Sequence, residues 1–231
     1  MSGFVIAHAY EHRLKAGLGF GAFLRIRLVR LYPLYALGAV VAGLSAAAGF
    51  NETFHWGAIL WTFTLTPTPP PLAPSGDLFP YNNVGWSLFL EIVVNAVYAL
   101  TWRFWTPERL RLVVLVAGAG LIAATVAYGN ANMGYAWRNL TGGALRIAYA
   151  YPLGVLIYRH YRRGDLPAHA PLALLLGAPL PFLRWGPAGG AGVAWELFGM
   201  MIVMPLVAAL AVRARTPDRL ITISSLLGAA S

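Results

Sequence analysis

Long apolar runs separated by short polar and basic segments dominate the chain. A run of about 20 apolar residues is long enough to cross the hydrocarbon core of a bilayer as an α-helix. The pattern predicts an all-α fold, a polytopic transmembrane helical bundle of about six complete spans. The predicted spans are 31–50, 85–103, 110–129, 142–158, 168–185 and 194–212.

Both ends of the chain lie within further apolar runs, at 1–10 and 220–231. Met1-Ser2-Gly3 opens without the basic segment of a cleavable signal peptide. We therefore expect partial helices at both termini. Residues 1–231 are predicted to form a single membrane-embedded domain whose first and last helices are missing.

The apolar stretch at 54–66 is short for a span, and the basic residues decide how it is threaded. Basic residues concentrate in cytoplasmic loops. If 54–66 enters the membrane and returns on the same side, every basic residue lies in the cytoplasm except Arg138, Arg146 and Arg184. If it crossed, everything after residue 66 would be inverted. The sequence thus predicts a re-entrant segment followed by a stiff, extracytoplasmic, proline-rich loop at 67–84 without regular structure.

Composition supports a membrane location and excludes several other classes. Of 231 residues, 58% are hydrophobic and 11% charged, with a mean hydropathy of +0.63. The net charge of +9 comes from short arginine-rich bursts between apolar runs, so we predict contact with membrane lipid and no nucleic-acid partner. Cysteine is absent and the five histidines lack metal-site spacing, so we predict no metal site.

Arg27 and Arg30 are three residues apart and would share one face of a helix, with Arg25 off that face. Two guanidinium groups on one face can clamp a phosphate, but they can equally anchor a helix end to anionic headgroups. Pro33 follows one turn later and predicts that the helix starts or bends there.

A second group of candidates lies on the helix predicted for 85–103. Steps of four, four and three place Ser87, Glu91, Asn95 and Tyr98 on one stripe, beside Trp86. A carboxylate within a membrane span faces a polar cavity or a partner. Glu91 is therefore either a site residue or a packing partner of a neighbouring helix.

Arg146 and Glu196 are the other charged residues singled out within predicted spans. The threading places both near the extracytoplasmic ends of their helices, where they could pair with each other or with Glu91. The imidazole of His8 could in principle act as a general base, although a histidine near a helix end more often lies at the membrane interface.

Several of these segments together resemble the acyltransferase 3 family of integral membrane O-acyltransferases. They are Ser2-Gly3-Phe4, Arg27-x-x-Arg30 followed by Leu31-Tyr32-Pro33-Leu34-Tyr35, Asn83-x-x-Trp86-Ser87-Leu88-x-x-Glu91, and Leu227-Gly228-x-x-Ser231. The resemblance extends over essentially the full length.

The resemblance implies about ten membrane helices and transfer of an acyl group, commonly acetyl, from cytoplasmic acyl-CoA to a hydroxyl of an extracytoplasmic carbohydrate or glycan. No cofactor is implied besides acyl-CoA as co-substrate. Arg27 and Arg30 would bind the donor. Glu91 would support the site, and Trp86, Ser87, Asn95, Tyr98 and Arg146 would line the cavity. The location implied is the bacterial inner membrane.

The family's catalytic histidine lies in a first helix upstream of Ser-Gly-Phe, and His8 does not match that position. The enzymatic interpretation therefore stands beside two alternatives. The chain could be a non-catalytic, truncated remnant, or a transporter-like bundle with Glu91, Arg146 and Glu196 along a permeation path.

Overall fold

The computed structural model describes residues 2–50, 55–73, 75–166, 175, 177–184 and 186–212. In these ranges the only β-type pairing is an isolated bridge between Asp77 and Ala136, which confirms the all-α class. The helices are α1 Ser2–Lys15, α2 Phe20–Ser45, α3 Trp56–Thr62, α4 Gly85–Thr101, α5 Pro107–Tyr128, α6 Leu140–Arg163, α7 Pro181–Arg184, α8 Gly190–Phe198 and α9 Met204–Ala211. Short π-helical segments follow α2 at Ala46–Phe50 and join α8 to α9 at Gly199–Val203.

Five continuous helices in the described ranges are long and apolar enough to span a membrane. They are Phe20–Gly49, Gly85–Phe104, Pro107–Tyr128, Trp137–Arg163 and Gly190–Ala211. Large apolar side chains on their outer faces are exposed, including Leu37, Leu44, Leu115 and Leu206. Such a surface suits lipid rather than water, and the chain is an integral membrane protein. Half of the predicted span 168–185 and all of 220–231 fall outside the described residues.

The start of α2 corrects one prediction. The helix begins at Phe20 and includes Pro33, so the predicted start of a span at residue 31 is wrong, while the alternative of a bend at Pro33 stays a prediction. Arg27 and Arg30 therefore lie about 10–15 Å inside the helix, at 1.5 Å per residue. Within a long apolar helix, packing against a neighbour can keep the helix continuous despite the one hydrogen bond that proline removes.

α6 forms the centre of the bundle and packs against α1, α4 and α5, while α2 packs on α4. The crossing of α1 and α6 depends on two glycines. A Cβ atom added at Gly3 would lie 2.0 Å from the carbonyl oxygen of Tyr151, and one at Gly154 would lie 2.7 Å from the amide nitrogen of Phe4. Small residues let membrane helices approach this closely. The crossing fixes the start of α1 beside α4.

The loops lie at two opposite ends of the bundle. The proline-rich loop before α4 pairs with the loop after α5, since the Leu78 amide donates to the Tyr135 carbonyl at 2.8 Å. The loop was predicted to have no regular structure, but it contains a 3-10 turn at Pro70–Leu72. The turn that joins α4 to α5 lies at the other end. The segment predicted to be re-entrant contains α3, whose seven residues are too few to cross a bilayer.

Candidate functional site

Glu91 on α4 is joined to both α1 and α2. Its Oε1 atom accepts a hydrogen bond from Ser2 Oγ at 2.8 Å and one from Arg27 Nη2 at 3.0 Å. The Arg27 side chain is 5% exposed and that of Glu91 is 26% exposed. Charge-assisted hydrogen bonds of this kind are the strong ones, and they matter most where water is scarce. The arrangement provides the partner that a carboxylate within a span requires.

This triad lies in the wall of a partly open cavity of about 630 Å³. Apolar side chains supply much of the wall, namely Val5, Ile6, Leu31, Leu34 and Leu88. The polar lining consists of Ser2, Arg27, Arg30, Tyr35, Asn82 and Glu91. An apolar pocket with a few convergent polar groups is the usual form of a small-molecule site.

Arg30 lies on the same side of α2 as Arg27 and lines the same cavity, whereas Arg25 is exposed and outside it. The prediction that Arg27 and Arg30 share a face is thus confirmed. Their surroundings differ. Arg27 is buried against Glu91, while Arg30 is exposed at the cavity.

The remaining residues of the α4 stripe diverge from the cavity. Ser87 is exposed and donates to the carbonyl of Val84 at 2.9 Å. Asn95 is completely buried, and neither polar atom of its amide has a hydrogen-bond partner among the residues that the structure describes. Tyr98 is buried against the ring of Tyr151. None of Ser87, Asn95 and Tyr98 lines this cavity as the structure describes it, although they were predicted as cavity residues.

Trp86 and Arg146 also lie apart from the cavity. The Arg146 guanidinium is 5.9 Å from the centroid of the Trp86 ring and donates to the carbonyl of Ala131. Glu196 Oε2 accepts from the amide of Ala131 at 2.6 Å. Arg146 and Glu196 therefore bind the carbonyl and the amide of the same loop residue, Ala131, and no direct ion pair joins the two side chains. Both side chains thus contact the loop after α5, and Arg146 also lines a separate cavity of about 100 Å³.

His8 packs in an aromatic group within α1 and α6. Its ring stacks on Phe4 at a centroid distance of 6.0 Å and meets the edge of Tyr158 at 5.8 Å. It does not line the cavity of Glu91. In the described part of the chain, no group of three His, Asp or Glu side chains is arranged to hold a metal ion.

Sequence analysis did not identify three of the polar residues at the cavity. Ser2 reaches Glu91 because the close crossing at Gly3 brings α1 near α4. Tyr35 donates its hydroxyl to the Thr62 carbonyl at 2.6 Å, and Asn82 Nδ2 donates to the Tyr35 carbonyl at 3.3 Å. Ser2 and Tyr35 do occur in the segments that carry the family resemblance, which was the available signal. Asn82 gave none.

Comparisons with known proteins identify the family of this chain. The chain is 35% identical over 144 residues to "Protein 2 in picA locus" of Rhizobium radiobacter, an alignment covering 55% of this chain and 75% of that protein. No solved structure is significantly similar to the chain. The acyltransferase domain family known as acyltransferase 3 matches residues 1–231. The chain therefore belongs to the acyltransferase 3 family and is a membrane acyltransferase by family.

Proposed function

We propose that the protein transfers an acetyl group from acetyl-CoA to a hydroxyl of an extracytoplasmic carbohydrate or glycan at the bacterial inner membrane. The observation that carries the proposal is the Arg27–Glu91 ion pair in the wall of an apolar cavity that also contains Arg30. Family membership supplies acyl transfer. The donor, the acyl group and the acceptor are the parts proposed.

The reaction moves the acyl carbon from sulfur to oxygen. The C–S bond of the thioester breaks, a C–O ester bond forms, and the hydroxyl proton ends on the sulfur of free CoA. The protein must therefore hold a thioester next to a hydroxyl and exclude bulk water, which would hydrolyse the donor. The apolar wall of Val5, Ile6, Leu31, Leu34 and Leu88 suits the second requirement.

Glu91 would orient the acceptor. An ionised carboxylate only accepts hydrogen bonds, so it can receive one from the acceptor hydroxyl and fix its direction. Arg27 and Ser2 hold Glu91 in place through Oε1. In this role Glu91 is a site residue, and Arg27 is a positioning residue that acts through it.

Arg30 would serve the donor. Its exposed guanidinium at the cavity offers planar, bidentate hydrogen bonding to anionic or carbonyl oxygens of acyl-CoA. Because Arg30 is the more exposed of these two arginines at the cavity, we assign it the larger share of their contribution to donor binding. The sequence prediction divided the role between both arginines.

The absence of cysteine provides a clean assay. Purified protein in liposomes is incubated with acetyl-CoA and a panel of oligosaccharides, and released CoA is followed with a thiol reagent that has no protein background. Acceptor-dependent thiol release together with a hydroxylamine-sensitive ester on the sugar is the expected result. The matched control is Arg25→Gln, which changes an exposed arginine outside the cavity.

Two results would contradict the proposal. Folded protein that releases no thiol with any acceptor would favour a non-catalytic remnant. Thiol release that is independent of acceptor would indicate a thioesterase rather than a transferase.

A further inference from the structure

A second cavity, of about 510 Å³, lies at the end of the bundle opposite the proline-rich loop. α1, the turn between α4 and α5, and the last two turns of α6 enclose it. Five basic side chains line it, against Glu11 as the one carboxylate among the lining residues. The basic residues are Lys15, Arg103, Arg159, Arg162 and Arg163.

Internal pairing engages only part of this positive charge. Glu11 Oε1 lies 2.8 Å from Lys15 Nζ and 3.9 Å from Arg159 Nη2. Glu11 is buried, and its Oε2 atom has no hydrogen-bond partner within the described part of the chain. Arg103, Arg162 and Arg163 have no carboxylate within 4.0 Å in the parts of the chain that the structure describes. Three exposed guanidinium groups around one concave surface attract an anion.

Two further features favour a phosphate-bearing aromatic ligand. Trp102 and Trp105 line the same cavity, and indole faces stack with nucleobases. Thr106 and Pro107 also line it and begin α5, so the positive end of that helix dipole lies at the wall.

We propose that this second cavity binds the phosphates and adenine of the nucleotide end of the acyl donor. The inference rests on the proposed function, because it takes acyl-CoA as the donor. Glu91 and Trp102 are on one helix, separated by eleven residues or about 16 Å. The nucleotide end and the thioester of CoA are likewise separated by a long flexible arm. An anionic lipid headgroup has the same phosphate chemistry and is the competing occupant.

The test measures binding without turnover. Wild-type protein in nanodiscs of zwitterionic lipid is titrated with adenosine 3′,5′-bisphosphate by calorimetry. We expect salt-sensitive binding that weakens by at least about tenfold in the Arg103→Gln/Arg162→Gln double variant, because two charge-assisted contacts are lost. The matched control is Arg25→Gln/Arg138→Gln, which removes two exposed arginines that line neither cavity.

Two further arms separate the sources of phosphate. Trp102→Leu should weaken the bisphosphate but leave inorganic pyrophosphate unchanged. Native mass spectrometry measures whether phosphatidylglycerol stays bound and whether this depends on Arg103 and Arg162. Such retention without any bisphosphate binding would overturn the proposal in favour of a headgroup site. The proposal would also be overturned if the wild-type protein bound neither the bisphosphate nor phosphatidylglycerol, or if the two double variants bound the bisphosphate equally well. Since these measurements need no reaction, failure here differs from failure of the proposed function, which appears as missing acceptor-dependent thiol release.

Discussion

Arg27 Nη2 lies 3.0 Å from Glu91 Oε1 and joins two helices through residues 64 positions apart in the chain. The pair is asymmetric, since Arg27 is nearly enclosed while Glu91 retains contact with the cavity. Removing one partner of a buried pair leaves the other charge uncompensated. The more deeply buried charge should therefore cause the greater loss when it is left alone.

The first prediction follows from this asymmetry. Glu91→Gln should destabilise the protein by roughly 3 kcal/mol, and Arg27→Met should destabilise it less, because an orphaned Glu91 can still be solvated. The double variant Arg27→Met/Glu91→Gln should recover part of the melting temperature in detergent without recovering acyl transfer. Activity in the folded fraction of Glu91→Gln would instead reduce Glu91 to a packing partner.

The second prediction concerns Arg30. Arg30→Lys should raise the KM for acetyl-CoA severalfold despite its retained charge, because lysine lacks the planar fork of donors. Arg25→Lys is the matched control and should leave the KM unchanged. Unaltered donor kinetics in both Arg30→Lys and Arg30→Ala would assign Arg30 to topological anchoring.

The third prediction concerns the crossing of α1 and α6. Gly154→Ala should destabilise the protein by about 1–3 kcal/mol, because the added methyl group meets the backbone of α1. Gly21→Ala has open space around the new methyl and should not lower the melting temperature. If both variants melt like the wild type, the close approach of α1 is not a determinant of the bundle.

The fourth prediction concerns Asn95, whose buried amide makes no hydrogen bond to any described residue. Asn95→Leu should preserve or raise the melting temperature, because an unpaired buried amide costs about 1–3 kcal/mol. Thr125→Val is the contrasting variant, since the Thr125 hydroxyl donates to the Leu121 carbonyl at 2.8 Å. A marked loss of stability in Asn95→Leu would show that the amide has a partner in the membrane.

The fifth prediction tests the threading. Ser75 and Glu108 are exposed at opposite ends of the bundle. In the cysteine-free background, Ser75→Cys should react with an impermeant maleimide on intact cells, and Glu108→Cys only after permeabilisation. Reaction of both from the same side would overturn the threading.

The sequence predicted the fold class because a membrane span is a local property. Twenty consecutive apolar residues specify a transmembrane helix whatever surrounds them, since the bilayer leaves no other way to satisfy the backbone. It likewise predicted that Arg27 and Arg30 share a face, which helical periodicity determines. Its prediction that the short apolar segment at 54–66 does not cross agrees with the seven residues of α3 but stays a prediction until the labelling above is done.

Tertiary structure decided which of the singled-out residues meet. Periodicity places Ser87, Glu91, Asn95 and Tyr98 on one stripe but does not specify what packs along it. Ser2 of α1 and Arg27 of α2 both hydrogen-bond to Glu91 on that stripe. Asn95 and Tyr98 are buried further along α4. The start of α2 at Phe20 was missed because Pro33 is a local signal for a helix start, and packing of α2 on its neighbours keeps the helix continuous across it. Ser2 joined the site only through the close approach at Gly3 and Gly154, a contact between distant segments that local pattern does not encode.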